Sequence, residues 1–275
     1  MTEGIATEIQ KGKRRFSLTS VLMNRYFLYM ISLTVFFLIW EVVAIKGLLG
    51  MPRLEAVYNA LIEIIREPLA GKTLFGHVLA SFSRVCSGFA IAVVIGIPTG
   101  LLMATNRYVN GIVKPIFDML KPMPPIAWIP IAILWFGVGE TSKIFLIAIG
   151  TIIPCIINTY NGIRLVQPEL YEVISVLGGN RRDMVLQVTF PAAFPAIFSG
   201  MQLAFSFAWA CVVAAELVSS RAGVGFLIIL GMKTSDSALI IASMGVIAVI
   251  AWSLSMLLGK LENRICPWKK DIVGL

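Results

Sequence analysis

PELYEVISVLGGNRRDMVLQVTFPAAFPAIFSG, residues 168–200, is built like a piece of soluble protein inside a chain that otherwise reads as membrane. Pro168 suits the first position of a helix, and Glu169 and Glu172 complement the positive end of its dipole. Leu170, Val173, Ile174 and Leu177 spread an apolar face over about three turns. Gly178 and Gly179 supply the left-handed residue that ends a helix, so the spacing predicts a helix over 168–177. Asn180 then caps a second helix, which Pro191 is expected to end. A short apolar-faced helix held between two spans has the shape to dock in a groove of a soluble partner. Lying on the inner leaflet is the other reading of the same features.

The rest of the chain sets the surroundings. Of 275 residues, 58% are hydrophobic and 14% charged, too little polar surface to cover a soluble globule. Apolar runs at 27–45, 78–104, 117–136, 144–163, 195–218 and 238–258 predict six spans, the third broken by the prolines of MPPIAWIP. GKRR precedes the first run and no small-residue cleavage site follows it, which predicts a retained signal-anchor. Lys and Arg fall on the side of the two termini about twice as often as on the other, which predicts cytoplasmic termini and a cytoplasmic 164–194 loop. The net charge of +8 is then a matter of topology and not of nucleic-acid binding. The expected organisation is an N-terminal tail over 1–26, a membrane domain over 27–260 and a C-terminal tail over 261–275.

Between the first two spans, Leu54, Val57, Leu61, Ile64 and Ile65 form one apolar helical face, interrupted by Glu55, Glu63, Arg66 and Glu67. This predicts a helix on the outer membrane surface. The Gly-Lys-Thr at 71–73 is not a nucleotide loop, because Arg66 stands where that motif needs glycine and no strand precedes it. Cys86, Cys155, Cys211 and Cys266 show no metal spacing, and the first three read as packing residues. Glu41, Asp118 and Glu216 lie near the ends of different spans without a nucleophile–base pair, which argues against an enzyme. Glu216 and the single histidine, His77, read as solvated and interfacial, and Arg84 falls near the start of a span.

Inside the spans, Gly88, Ala92, Gly96 and Gly100 recur every four residues, a spacing that lets helix backbones approach closely. Thr151, Pro154, Asn158 and Asn161 share one face, as do Gln202, Ser206, Trp209 and Glu216. Polar groups in lipid are costly unless they face a cavity or one another. Thr151, Asn158, Gln202, Ser206 and Trp209 are therefore the expected lining of a translocation path, with interhelical hydrogen bonding as the alternative.

YEVISVLGGNRRDMVLQVTFPAAFPAIFSGMQLAFSFAW, residues 171–209, resembles the cytoplasmic EAA loop of ABC-importer permeases. Glu172-Val173-Ile174 stands where that pattern has Glu-Ala-Ala, Gly178 holds its central glycine, and Phe190-Pro191 replaces Leu-Pro. KPMPPIAWIPIAILWFGVGETSKIFLI (121–147) and SFSRVCSGFAIAVVIGIPTGLLMA (81–104) are similar to the nitrate/taurine/sulfonate branch, and the resemblance covers about 78–265. It implies an all-α integral membrane fold of about six transmembrane helices, a type I, MetI-like importer permease of the inner membrane. It implies a second copy of the chain, two ATP-binding ABC subunits and an extracytoplasmic solute-binding protein as partners, within membrane lipid and without nucleic acid. ATP and Mg would be bound by the partner ATPase, with no cofactor in this chain. Glu172, Ser175, Leu177, Gly178 and Arg181 would couple to that ATPase, whose closure would push the short helix. The implied cargo is a small anion such as an aliphatic sulfonate, taurine or nitrate; bicarbonate, a thiamine-precursor pyrimidine, or a self-sufficient secondary transporter are the alternatives.

Overall fold

The computed structural model describes residues 25–47 and 50–268, so residues 1–24 of the expected N-terminal tail and 269–275 of the expected C-terminal tail lie outside the described residues. The chain divides into two compact units, Met1–Ala56 and Val57–Leu275. In the first, helix α1 (Arg25–Ile45) is apolar from Phe27 onward and long enough to cross a membrane. The chain that follows is tied back to it: Trp40 Nε1 donates to the Pro52 carbonyl at 3.0 Å. Glu41 Oε2 accepts from Leu54 N at 3.2 Å, satisfying one of the unpaired amides that open α2 (Leu54–Arg66).

The second unit is helical throughout its described elements. They are α3 (Leu74–Thr105), α4 (Arg107–Leu120), a 3₁₀ turn at Pro125–Trp128, α5 (Ile129–Phe136), α6 (Glu140–Arg164) and α7 (Pro168–Val176). A turn at Arg181–Asp183 and a π-helical stretch at Met184–Thr189 then lead into α8 (Phe190–Ser219), followed by α9 (Val224–Thr234) and α10 (Ser237–Ile265). Among the described residues of the whole chain five helices are long and apolar enough to cross a membrane, or six if α4 and α5 count as one broken span.

The proline-broken span expected over 117–136 is a pair of helices bent by 93°. Pro122, Pro124 and Pro125 lack the amides a continuous helix needs and push their predecessors out of helical geometry. One expectation needs correcting: Pro191 does not end a helix, and the chain stays helical from Arg181 to Ser219. The π-helical stretch makes room for it: Phe190 N donates to Val185 O, and Thr189 Oγ1 donates to Met184 O at 3.0 Å. Pro191 then falls in the first turn of α8, where a missing amide costs little.

The core forms where α3, α6 and α8 pack together. A side-chain carbon on Gly88 would collide with Ile147, on Gly96 with Cys155, and on Gly100 with Thr159 and the Ile156 carbonyl. Ala92 is buried with Cys155 and Ala204. The four small residues thus let α3 close onto α6. Beside this core, Ala60 and Ile64 of α2 are buried with Val224, Leu227, Ala238, Leu239, Ala242 and Val246 of α9 and α10. The part of α2 in this unit therefore packs on protein through Ala60 and Ile64, while Ile65 stays exposed.

Candidate coupling helix and polar face of the bundle

Helix α7 and the turn after it form a self-capped hook. Pro168 opens the helix. Gly178, at φ +76°, closes it, with Gly179 N donating to Ile174 O at 2.9 Å in the wrap that satisfies the last carbonyls. Asn180 Oδ1 accepts from Arg182 N and Asp183 N, while Asp183 Oδ2 accepts from Asn180 N, a reciprocal cap on the next turn. The Tyr171 and Thr189 hydroxyls, 3.2 Å apart, fasten α7 to the π-helical stretch. Ile174 is the residue of α7 turned inward. Leu170, Val173, Val176 and Leu177 form an exposed apolar patch, with Val176 87% and Leu177 79% accessible. Glu172, Ser175, Gly178 and Arg181 are exposed as well, and Ser175 Oγ donates to Tyr171 O.

The polar stripes of α6 and α8 are distributed differently. Thr151 is fully buried and donates to the Ile147 carbonyl at 2.7 Å. Asn158 Nδ2 donates to the Pro154 carbonyl at 2.9 Å. Gln202 turns towards α10, where Glu262 accepts from Gln202 Nε2 at 3.0 Å and from Ser199 Oγ at 3.2 Å. Ser206 is exposed and donates to Gln202 O. Trp209 is buried among Val85, Ile147, Phe205, Ala208, Cys211 and Val212. Its indole N–H finds no acceptor among the described residues. Asn161 instead lines a cavity of about 120 Å³ between α4 and α6, with Lys114, Asp118, Lys121 and Tyr160 among its polar walls and Phe117, Ile156 and Ile157 among its apolar ones.

At the other end of α6 from α7 lies a buried polar network that sequence reasoning missed. Glu216 is not solvated but 0% exposed. Its Oε1 accepts from Ser81 Oγ at 2.7 Å and from Arg84 Nη1 at 2.6 Å, and its Oε2 accepts from Gly225 N at 2.8 Å. Arg84 Nε and Nη2 grip both oxygens of Glu140 at 2.5 and 2.8 Å, and Lys143 Nζ donates to the same carboxylate at 3.0 Å. His77 is likewise buried, not interfacial. Its Nδ1 accepts from Gly223 N at 3.1 Å, which leaves Nε2 to carry the proton and donate to Leu69 O at 3.0 Å. Gly223 has φ +130°, and a side chain there would overlap the Glu216 carboxylate. The one signal in the sequence was charge inside apolar runs, at Arg84 and Glu216.

Residues 96–265 match the family model described as the binding-protein-dependent transport system inner membrane component. The chain belongs to that family. An ABC transporter permease protein of Methanocaldococcus jannaschii is 39% identical over 84% of this chain and 88% of its own length. The taurine transport system permease protein TauC of Escherichia coli K12 is 32% identical over 88% of this chain and 89% of its own. Other relatives are named for aliphatic sulfonate, bicarbonate and nitrate transport. In fold, the chain is similar to a chain of the MetNI methionine ABC transporter in inward-facing conformations, with a TM-score of 0.63 at 15% identity over 70% of this chain and 95% of that one.

The permease is therefore a multi-pass membrane component of an ABC importer, a transport subunit rather than an enzyme, and its family works with ATP-binding subunits and a binding protein. That membership sets aside a self-sufficient secondary transporter. No cluster of three or more His, Cys, Asp or Glu suited to a metal occurs among the described residues.

Proposed function

We propose that two copies of this permease form the translocation path of an importer for a small oxyanion, an aliphatic sulfonate, taurine or nitrate, with bicarbonate as the nearest alternative. The names of its relatives support the cargo class. The two ATP-binding subunits bind ATP and Mg, and both termini and α7 face the cytoplasm. One observation carries the coupling role: the exposed apolar patch of Leu170, Val173, Val176 and Leu177, on a hook rigidly capped at Gly178 and Asn180. Such a knob fits a groove of a soluble partner. Closure of the ATP-binding pair then moves α7, and the Tyr171–Thr189 contact passes that movement to α8.

The test is uptake into proteoliposomes holding the permease, its ATP-binding subunits and the binding protein. Taurine, methanesulfonate, nitrate and bicarbonate are offered in turn. Uptake of at least one that requires both ATP and the binding protein is the expected result. Uptake of none of these anions would discard the cargo class.

A further inference from the structure

The Arg84 network has an asymmetry that a purely structural latch does not need. Its two cations are buried, with side-chain exposures of 7% for Arg84 and 5% for Lys143. One carboxylate, Glu216, is 0% exposed, whereas the other, Glu140, is 59% exposed. The guanidinium is held by one edge: Nη1 donates to Glu216 Oε1 at 2.6 Å and to the Ala222 carbonyl at 2.7 Å. Its other edge, Nε and Nη2, presents a planar fork that Glu140 fills with both oxygens. Lys143 adds a third donor to Glu140, and is itself held by Ser220 Oγ at 3.3 Å.

We propose that this fork is an oxyanion-binding site of the permease, and that the exposed Glu140 carboxylate occupies it until the transported anion displaces it. The inference rests on the small-anion reading given above. Charge favours the exchange. Arg84 and Lys143 carry two positive charges and Glu216 one negative, so one further monoanion neutralises the buried set, whether it is Glu140 or a ligand. Sulfonate, nitrate and bicarbonate each present a pair of oxygens to a guanidinium fork as a carboxylate does. Releasing Glu140 gives up its hydrogen bonds to Arg84 and Lys143, which the incoming anion replaces, while Arg84 keeps Glu216 and the Ala222 carbonyl throughout. The site lies at the opposite end of α6 and α8 from α7, where cargo enters if α7 is cytoplasmic.

The experiment measures thermal unfolding of the full permease, assembled with its ATP-binding subunits in lipid nanodiscs. Sodium methanesulfonate, nitrate and bicarbonate are each compared with sodium chloride. E140Q should melt below wild type in chloride and gain a saturable rise in Tm, on the order of 2–4 °C at about five times Kd, with at least one oxyanion. The anion giving the largest rise names the source. Wild type should shift less at the same concentration, since Glu140 competes, and E140Q/K143M should lose most of the rise. Glu140→Asp, which keeps the charge but reaches less far, should fall between wild type and E140Q and serves if E140Q assembles poorly. A flat response to all three oxyanions across the series, or a rise that K143M leaves intact, overturns the site and leaves a structural latch. Anion uptake without any such shift would sink this inference alone; shifts without anion uptake would sink the cargo reading and leave the fork as an oxyanion site that does not serve transport.

Discussion

Gly200 of α8 lies directly against Asn158 of α6, so close that a methyl group on the glycine would share the space of the asparagine side chain. This contact sets how near the two helices run at mid-length. Gly200→Ala should therefore cost about 1–3 kcal/mol through overpacking. Gly111 of α4 is the internal control, because nothing lies within 4 Å of a side-chain carbon built there. Gly111→Ala should leave stability unchanged or raise it by up to about 1 kcal/mol from helix propensity alone. Thermal unfolding in detergent reads both. Equal effects at the two glycines would show that the close approach is not a real constraint.

Trp209 separates a path role from a packing role. Its indole N–H is buried without an acceptor among the described residues, a state that costs stability unless something else uses the donor. Trp209→Phe removes the donor and some volume, two opposing effects of about 1–3 kcal/mol each, so Tm should move little. Reconstituted uptake should fall all the same if the path passes Trp209. Ser206→Leu, at an exposed position, should likewise lower uptake without lowering assembly. Wild-type uptake in both variants would assign this stripe to packing.

What could be read in advance was local. The first span and the caps at Pro168, Gly178 and Asn180 depend on neighbours within a few residues, and the helices follow them closely. The bent pair was harder, because an apolar run reports length but not direction, and direction here is set by three prolines within four residues. Helix α9 has too few apolar residues to signal a span and lies between Gly223 and the left-handed Ser235. The pairings of the Arg84 network were not legible. Glu140 and Glu216 stand 56 and 132 residues from Arg84, and only the close packing of α3, α6 and α8 brings them together. Charge in an apolar run announced that a partner must exist, without saying which one.

Glu216 should be among the least replaceable residues. Glu216→Ala removes the acceptor for Ser81, Arg84 and Gly225 together and leaves a guanidinium short of its buried partner. Breaking a buried pair in this way costs about 3–5 kcal/mol. The expected readout is a large loss of monodisperse protein in size-exclusion chromatography. Replacing both partners, Arg84→Met with Glu216→Leu, should recover part of that yield, since no charge is then stranded. A double variant no better than Glu216→Ala would show that the ion pair is not what Glu216 contributes.

Orientation is open to direct chemical labelling. Arg182 and Lys233 are both exposed, and they flank opposite ends of the α8 region, one after α7 and one at the end of α9. With Cys86, Cys155, Cys211 and Cys266 replaced, a cysteine at 182 should react with a membrane-impermeant maleimide only after lysis. A cysteine at 233 should react in intact cells. The reverse pattern would invert the membrane topology and remove α7 from the cytoplasm.

Gly178 tests whether α7 transmits force. Its φ of +76° is one that side chains disfavour, yet a side-chain carbon built there meets nothing within 4 Å. Any penalty is therefore backbone strain and not a clash. Asn tolerates the left-handed region, so Gly178→Asn should behave nearly as wild type, while β-branched Gly178→Val should cost about 1–2 kcal/mol. That strain is local to the hook, because the buried contacts of α3, α6 and α8 do not involve residue 178. The chain can relieve it most easily by changing the exit of α7, which would swing Leu170, Val173, Val176 and Leu177 away from the groove in which we propose that they dock. The spans should then melt at the wild-type temperature, while pull-down of the ATP-binding subunit weakens or transport per ATP hydrolysed drops, in the order Val, Ala, Asn. A variant series that binds the ATPase and transports alike, despite the strain, would show that the apolar patch rests on the membrane and couples nothing.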